Sequence, residues 1–565
     1  FENNLTFDQE FNVYTYRNFY NGGGVSIGDI NNDGLADIYF TANQKPNELY
    51  INKGDFIFEN ISEIAGIGGK KAWSTGVTMV DINADGLLDI YVCNSGDVEG
   101  DNKQNELFIN QGDLTFKEEA EKYGLADPGY STHASFFDYD KDGDLDVYLL
   151  NNSYQAIGSF DLRRNERPKR DMDGGDKLLK NQNGKFIDVS EESGIYGSVI
   201  GFGLGVTVGD VNSDGWEDIY VSNDFFERDY LYVNNQDGTF SETLTDVISS
   251  LSSASMGADM ADINNDGATD IFVTEMLPSE YERLKSVTTF ENWDKYSYNV
   301  ENGYYHQFTR NTLQLNNGDN TFSEIGRLAG VEASDWSWGA LFFDFNNDGL
   351  RDLFIANGIY RDLTDQDYLQ YVSNEQVLMS IVSSDQVDYA KLVEIIPSRP
   401  VKNHAYLNMG NLIFKNDEKT GLLSPSFSNG SAYGDLDNDG DLDLVVNNVN
   451  MSSFIYENKT DEKLEGNYIQ FDLKGIGENT MAIGSQIKVS DGDNNFYVQQ
   501  QPIRGFQSSM DLRPHIGLPS DEPVNIEIKW PNETITYLEN VKVNKILKVS
   551  QSDTDNNYKP EQMVN

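Results

Sequence analysis

Three features of this 565-residue sequence predict an all-β fold built from repeated units. Aromatic residues reach 12%, with 31 Tyr and 31 Phe, side chains that suit a pleated sheet. Fifty Gly accompany abundant Asn and Asp, the residues of tight turns. One nine-residue pattern, Asp-x-Asn/Asp-x-Asp-Gly-x-x-Asp followed by an apolar run, occurs seven times. Its copies start at Asp29, Asp81, Asp138, Asp210, Asp262, Asp344 and Asp435, with spacings of 52, 57, 72, 52, 82 and 91 residues. A unit of about 50 residues with variable insertions is the mark of a solenoid or a propeller.

Each unit reads as four short strands. In the first, Gly24–Gly28 precedes the acidic loop, Asp37–Phe40 follows it, and Glu48–Ile51 and Phe56–Phe58 flank the turn Lys53-Gly54-Asp55. The third strand recurs at Leu107–Ile109, Leu178–Leu179, Leu231–Val233, Leu313–Leu315, Ala405–Leu407 and Phe454–Tyr456. Four strands taken seven times predict a seven-bladed β-propeller over residues 1–460. The seventh unit has no fourth strand of its own after Tyr456. Phe1-Glu2-Asn3 repeats Phe58-Glu59-Asn60, so the N-terminus is expected to supply that strand, pair near Phe454–Tyr456 and close the ring, which removes a sheet edge.

The loops have the chemistry of a calcium site. Calcium takes six to eight oxygens, and positions 1, 3, 5 and 9 offer side-chain oxygens, position 7 a backbone carbonyl, and Gly at 6 the turn. In chain order positions 1, 3, 5, 7 and 9 are Asp29, Asn31, Asp33, Leu35 and Asp37; Asp81, Asn83, Asp85, Leu87 and Asp89; Asp138, Asp140, Asp142, Asp144 and Asp146. They continue as Asp210, Asn212, Asp214, Trp216 and Asp218; Asp262, Asn264, Asp266, Ala268 and Asp270; Asp344, Asn346, Asp348, Leu350 and Asp352; Asp435, Asp437, Asp439, Asp441 and Asp443. About seven calcium ions are expected, with Asp at 9 closing each shell through both oxygens. An EF-hand needs a Glu at position 12 between helices, whereas here position 12 is apolar or aromatic, as at Phe40 and Val92. Metal-free Asp/Asn-Gly turns are the bland alternative, and packing three or four uncompensated carboxylates per loop weighs against it.

A formal charge of −52 argues against nucleic acid and anionic lipid as partners. The lone cysteine, Cys93, follows an apolar run and reads as core. No apolar run is long enough to span a membrane as a helix. The chain starts at Phe1 without a Met, which reads as a processed or trimmed N-terminus.

Three insertions, at 152–175, 275–310 and 357–402, follow the second strands of units 3, 5 and 6. The acidic loops precede those strands, so the insertions are expected together on the opposite face. The first carries Arg163, Arg164, Arg167, Lys169 and Arg170; the second Trp293, Tyr296, Tyr298, Tyr304, Tyr305 and Phe308; the third Tyr360, Tyr368, Tyr371 and a helix-like run over 375–396. They read either as a contact surface or as packing for the insertions themselves. None of the four histidines, His133, His306, His404 and His515, sits in a nucleophile motif, so no catalytic residue is assigned.

The repeats resemble the FG-GAP/VCBS class of integrin α-subunit propellers and exported bacterial proteins. Asn467–Leu473, Ala482–Ser485, Gly505–Ser508, His515–Leu518 and Trp530-Pro531 resemble the ASPIC/UnbV domain, placed at 466–552 and followed by a tail at 553–565. Tyr20–Gly24 and the insertions are similar to long surface lipoproteins of Bacteroidetes, some of which continue into a second propeller, leaving open a longer parent protein. The resemblance carries over architecture and metal sites only; with no catalytic motif assigned, the leading expectation is an extracellular or cell-surface binding or scaffold module, associated with the outer membrane through a lipid anchor or a partner. Its expected partners are proteins, such as an outer-membrane nutrient-uptake or assembly complex, with a glycan or peptide as further ligands. A carbohydrate-active lyase or hydrolase on the same scaffold is the alternative.

Overall fold

A computed structural model describes residues 1–288, 292–374, 382–383, 386–460, 466–492 and 494–553. Strands take 37% of the chain and helices 9%, as an all-β reading requires. Between residues 25 and 456 the main strands form seven antiparallel sheets in chain order, six of them four-stranded with neighbours in sequence paired. In sheet 2 these strands are Ser74–Val80, Asp89–Asn94, Glu106–Asn110 and Phe116–Glu118. The first strand of each sheet packs against the first strand of the next, and that of sheet 7 returns to sheet 1. Residues of the second strand, Asp89–Asn94 for example, are buried throughout, because both faces of a sheet meet neighbouring sheets. Tyr91 meets Phe136 edge-on at 5.6 Å across one such junction. Cys93 is buried, as its apolar context predicts.

Short helices follow several fourth strands, at Ser62–Ala65, Ala120–Tyr123 and Gly326–Ala329. Each stops at a glycine in the left-handed region, such as Gly66 at φ 73°, where other residues are strained. They turn the chain inward to the next first strand.

Sheet 7 has three strands, and residues 1–3 meet it just ahead of the third through two isolated bridges rather than a continuous strand. Glu2 bridges antiparallel to Ser452, Asn3 bridges parallel to Val449, and the Ser453 N–H donates to Phe1 O at 2.9 Å. This register sets Phe1 opposite Ser453, next to the Phe454–Tyr456 strand. Phe1 stacks on Phe40 of sheet 1, ring centroids 4.6 Å apart. The contact spans sheets 7 and 1 without adding a fourth strand.

The three insertions lie together with residues 5–20 across the ring end opposite the acidic loops. Arg283 of the second pairs with Asp362 of the third at 2.5 Å, and Arg167 of the first donates to Gly303 O of the second at 3.1 Å. Leu5, Tyr16, Phe19 and Tyr20 join Trp73, Trp338, Ile359 and Tyr368 in one apolar cluster. Of the helix-like run expected over 375–396, Tyr389–Glu394 is helical, and residues 375–381 lie outside the described residues, as do tail residues 554–565.

The C-terminal module forms two sheets, one of 467–474, 515–518 and 545–550, the other of 486–491, 494–499, 524–529 and 535–541. Ile469, Phe471, Val489, Ile526 and Trp530 fill the space between them. The module rests on the acidic-loop end of the ring, and its hairpin 503–509 enters the ring axis. Ser509 bridges parallel to Ser26 of sheet 1. The Val77 N–H of sheet 2 donates to Gln507 O at 3.1 Å, and the Gly505 N–H donates to Ala258 O of sheet 5 at 3.0 Å. Phe506 reaches the far end, 5.0 Å from Trp338 of sheet 6. Close approach requires glycine at 24, where a Cβ would stand 1.7 Å from Gln507 O.

Candidate metal loops and the plugged ring

Six of the seven acidic loops share one frame; in the seventh, both Asp435 oxygens are buried without a donor and the Asp439 N–H turns to Asp437 at 3.3 Å. In the first, the N–H groups of Asp33 and Gly34 donate to Asp29 at 3.0 and 2.8 Å, and the Leu35 N–H donates to Asp33 at 3.0 Å. The position-9 carboxylate is fully buried at Asp37, taking the Ile30 N–H on one oxygen at 3.0 Å and the Asn52 N–H on the other at 2.8 Å. Asp89, Asp218, Asp270 and Asp443 repeat this double clamp. Both oxygens of position 9 are expected to meet the metal; in these five loops each already accepts a backbone N–H, so a cation would have to use their remaining lone pairs.

The donor set fits a hard divalent cation. In loops 3 and 7, Asp138, Asp140 and Asp146, and Asp435, Asp437 and Asp443, each bring one carboxylate oxygen within 4.8 Å of the others. Buried oxygens of Asp140, Asp144, Asp352, Asp435 and Asp441 have no hydrogen-bond donor. Burial, then the neighbouring loop carboxylates, push position 9 up to about 7 at Asp37 and Asp89, about 8 at Asp270 and about 9 at Asp146 and Asp443. Such groups resist ionisation unless a cation compensates them. Where position 3 is Asn, its amide donates to position 5, Asn31 to Asp33 at 3.0 Å, and would have to turn its oxygen inward to bind metal. Loop 3 has a lysine at hand: Lys180 pairs with Asp140 and with Asp142, the latter at 3.3 Å.

A residue the motif does not include ties the loops into a ring. In six of the seven sheets the asparagine at or just past the end of the third strand sends its side-chain N–H groups to carbonyls of two loops; Asn181 of sheet 3 donates to Leu145 O of its own loop at 3.4 Å. Asn110 donates to Leu88 O of its own loop at 3.1 Å and to Ile30 O of the preceding loop at 2.8 Å. Asn234, Asn316, Asn408 and Asn458 do the same one sheet further each time, and Asn52 reaches Leu436 O at 2.6 Å, joining sheet 1 to sheet 7. The recurrence of Asn a few residues before a turn Gly, in Asn52-Lys-Gly54 and Asn110-Gln-Gly112, was the available signal.

The C-terminal module touches these loops directly. Thr480 Oγ1 donates to Asp81 at 2.5 Å, and Gln486 Nε2 to Asp210 at 2.9 Å. Arg513 reaches Asp435 O at 2.8 Å, and His515 Nε2 lies 3.2 Å from Gly440 O. His133 Nε2 lies 3.1 Å from Ser508 O in the plug. Burial holds His133 down to about 4 and His515 down to about 3, so both are neutral packing groups.

On the insertion face the basic cluster is largely committed. Arg163 pairs with Asp161 at 2.9 Å, Arg167 with buried Glu227 at 2.5 Å, and Arg170 donates to Ile195 O at 2.6 Å. Tyr304 is buried against Phe226, and Tyr305 donates to Ile248 O at 2.8 Å. Trp293 is 74% exposed beside Tyr296.

Fold and site together define a β-repeat ring with one acidic loop per sheet, plugged by a C-terminal β-module. Residues 29–92, 95–149, 210–273 and 301–355 match the FG-GAP-like repeat, and residues 475–556 match ASPIC and UnbV. The chain carries FG-GAP-like repeats and an ASPIC/UnbV domain, and it is homologous to cartilage acidic protein 1. It is 29% identical over 210 residues to that protein of Xenopus tropicalis, covering 36% of this chain and 29% of the relative. With the Mus musculus protein the identity is 22% over 535 residues, covering 90% of this chain and 70% of the relative. Among solved structures, an Agrocybe aegerita lectin aligns at TM-score 0.33 and 17% identity, over 59% of this chain and 75% of the lectin. The exotype rhamnogalacturonan lyase YesX aligns at 0.35 and 13%, over 78% and 72%. Likeness at that level says nothing about chemistry.

Proposed function

We propose that the chain is a seven-bladed propeller loaded with about seven calcium ions, working as an extracellular binding or scaffold module. The observation that carries this reading is the repetition of one oxygen-rich loop in every sheet, each with a buried carboxylate that charge neutralisation would favour. Calcium supplies that neutralisation, and the loop side chains and the position-7 carbonyls of Leu35, Leu87, Asp144, Trp216, Ala268, Leu350 and Asp441 hold it. The ring is then a rigid platform whose insertion layer faces partners. An outer-membrane nutrient-uptake or assembly complex is the partner class in keeping with the acidic, repeat-built chain, and the module reaches the membrane through an anchor or that partner. The reading of it as a binding protein rests on the absence of an assigned nucleophile, and a glycan lyase or hydrolase is the activity to screen against.

Calcium titration of chelator-stripped protein followed by calorimetry tests the metal. About seven sites are expected, with affinities of roughly 10⁻⁴–10⁻³ M if they behave as extracellular modules do. Uptake of three ions or fewer would overturn the assignment. For the partner face, Arg163→Glu with Arg164→Glu, and separately Trp293→Ala, should weaken capture of an outer-membrane partner while calcium uptake stays unchanged.

A further inference from the structure

A cavity of about 240 Å³ lies between the ring and the C-terminal module, bounded by sheets 4 to 7 on one side and by strands 486–491, 494–499 and 524–529 on the other. Phe342, Tyr433, Met260, Met510 and Tyr497 form its apolar wall. Its polar lining is cationic, on a chain whose formal charge is −52.

Arg351 is the central group. It enters from the end of the sixth acidic loop, donating from Nη1 to His515 O at 3.1 Å and from Nη2 to Tyr497 O at 3.3 Å. Among the described residues no carboxylate pairs with it; Asp344 acts on it only through space, and burial lowers its proton affinity. Arg504 and Arg513 also line the cavity, but Asp259 holds the first at 3.0 Å and Asp511 the second at 2.5 Å. Lys488, cross-strand from Glu527, and Lys529, whose charge also reaches Glu533, complete the cationic side.

The carboxylates that line the same space are mostly committed. Asp262 accepts the N–H groups of Asp266 and Gly267, and Asp210 accepts Gln486 and Gly215. Asp511 is held by Arg513, which leaves Glu527. The lining thus holds five cationic side chains, Arg351, Lys488, Arg504, Arg513 and Lys529, against four carboxylates, Asp210, Asp262, Asp511 and Glu527. Gln501 adds a donor: its Nε2 is buried without a partner, while its Oε1 accepts the Ile503 N–H at 3.3 Å. His515 Nδ1 is likewise buried without a partner on the cavity lining.

The geometry points to a binding site for a small organic carboxylate with a ring-sized body. Its carboxylate meets Arg351, Lys488 and Lys529, its polar edge meets Gln501 and His515, and its apolar face lies on Tyr433 and Phe342. Arg351, Lys488 and Lys529 are half-buried, and a guanidinium is the side chain best shaped for a carboxylate. The volume lies below the roughly 300–1,000 Å³ of drug-sized sites, which limits the ligand to a single ring. No acidic loop needs to open for the site to fill.

Titration calorimetry on the full calcium-loaded chain tests this with two acids and their neutral counterparts: glucuronate against glucose, and benzoate against benzyl alcohol. We expect one acid to bind at millimolar concentration or below, and its neutral counterpart to bind at least about tenfold more weakly. The acid that binds separates a sugar acid from an aromatic acid. Arg351→Gln should abolish binding. Because Arg351 also fastens the module, Lys488→Gln is the companion variant; its side chain makes no hydrogen bond to lose, and it should weaken the acid severalfold with calcium uptake unchanged. Failure of both acids to bind, equal binding of acid and neutral compound, or acid binding untouched by both variants would overturn the site.

Discussion

At the scale of single residues, the buried position-9 aspartates and the third-strand asparagines divide the work of each loop. The asparagine is purely structural, and Asn110→Ala strands two buried carbonyls, Ile30 O and Leu88 O. We expect it to cost about 1–3 kcal/mol by chemical denaturation in calcium, with calcium uptake retained. The aspartates predict a pH effect confined to metal-free protein. Their folded values lie above the unfolded value of about 3.9, at about 7 for Asp37 and about 9 for Asp443. The fold then binds more protons than the unfolded chain, so the stabilisation present below about pH 4 is lost as pH rises through about 7–9. Chelator-treated protein should melt progressively lower from about pH 5 to about pH 9, and the gap to calcium-loaded protein should widen; a constant gap would count against these assignments. The acidic loops were legible because their chemistry is local and repeats. The asparagine was not, since a donor that reaches into the preceding sheet leaves no trace in its own loop.

At the scale of elements, the strands were legible because each alternates over a few residues between turn signals, and the acidic loop marks where the second strand begins. The destination of Gly505-Phe506-Gln507-Ser508 was not. These residues stood out as a motif of the C-terminal module, yet nothing local says that a hairpin hundreds of residues away will pack on the first strands of sheets 1, 2 and 5. The N-terminal segment was legible in its partner but not its register: a three-residue echo of Phe58–Asn60 points to sheet 7, and the bridges found set Phe1 opposite Ser453. Phe506 is fully buried between Trp338 and the insertion-side cluster. Phe506→Ala should therefore cost about 3–5 kcal/mol, read by denaturant unfolding, far more than truncating an exposed ring such as Trp293.

At the scale of the whole molecule, ring and module interlock. The module caps the acidic loops through Thr480, Gln486 and Arg513 and fills the axis through 503–509. Calorimetry in calcium should accordingly show one unfolding transition for both parts; two separated transitions would mean that the hairpin contributes little. The same hairpin also acts as a keystone in time. Ser26 bonds Ser509 across 483 residues of sequence. At a synthesis rate of ~5–20 residues per second, the earliest sheet waits roughly tens of seconds for its last neighbour to leave the ribosome. Until then seven innermost strands surround an unfilled axis, and a chain broken off before residue 503 never receives its keystone. The newborn protein thus passes through a vulnerable interval set by how far one hairpin lies downstream of the first sheet it completes.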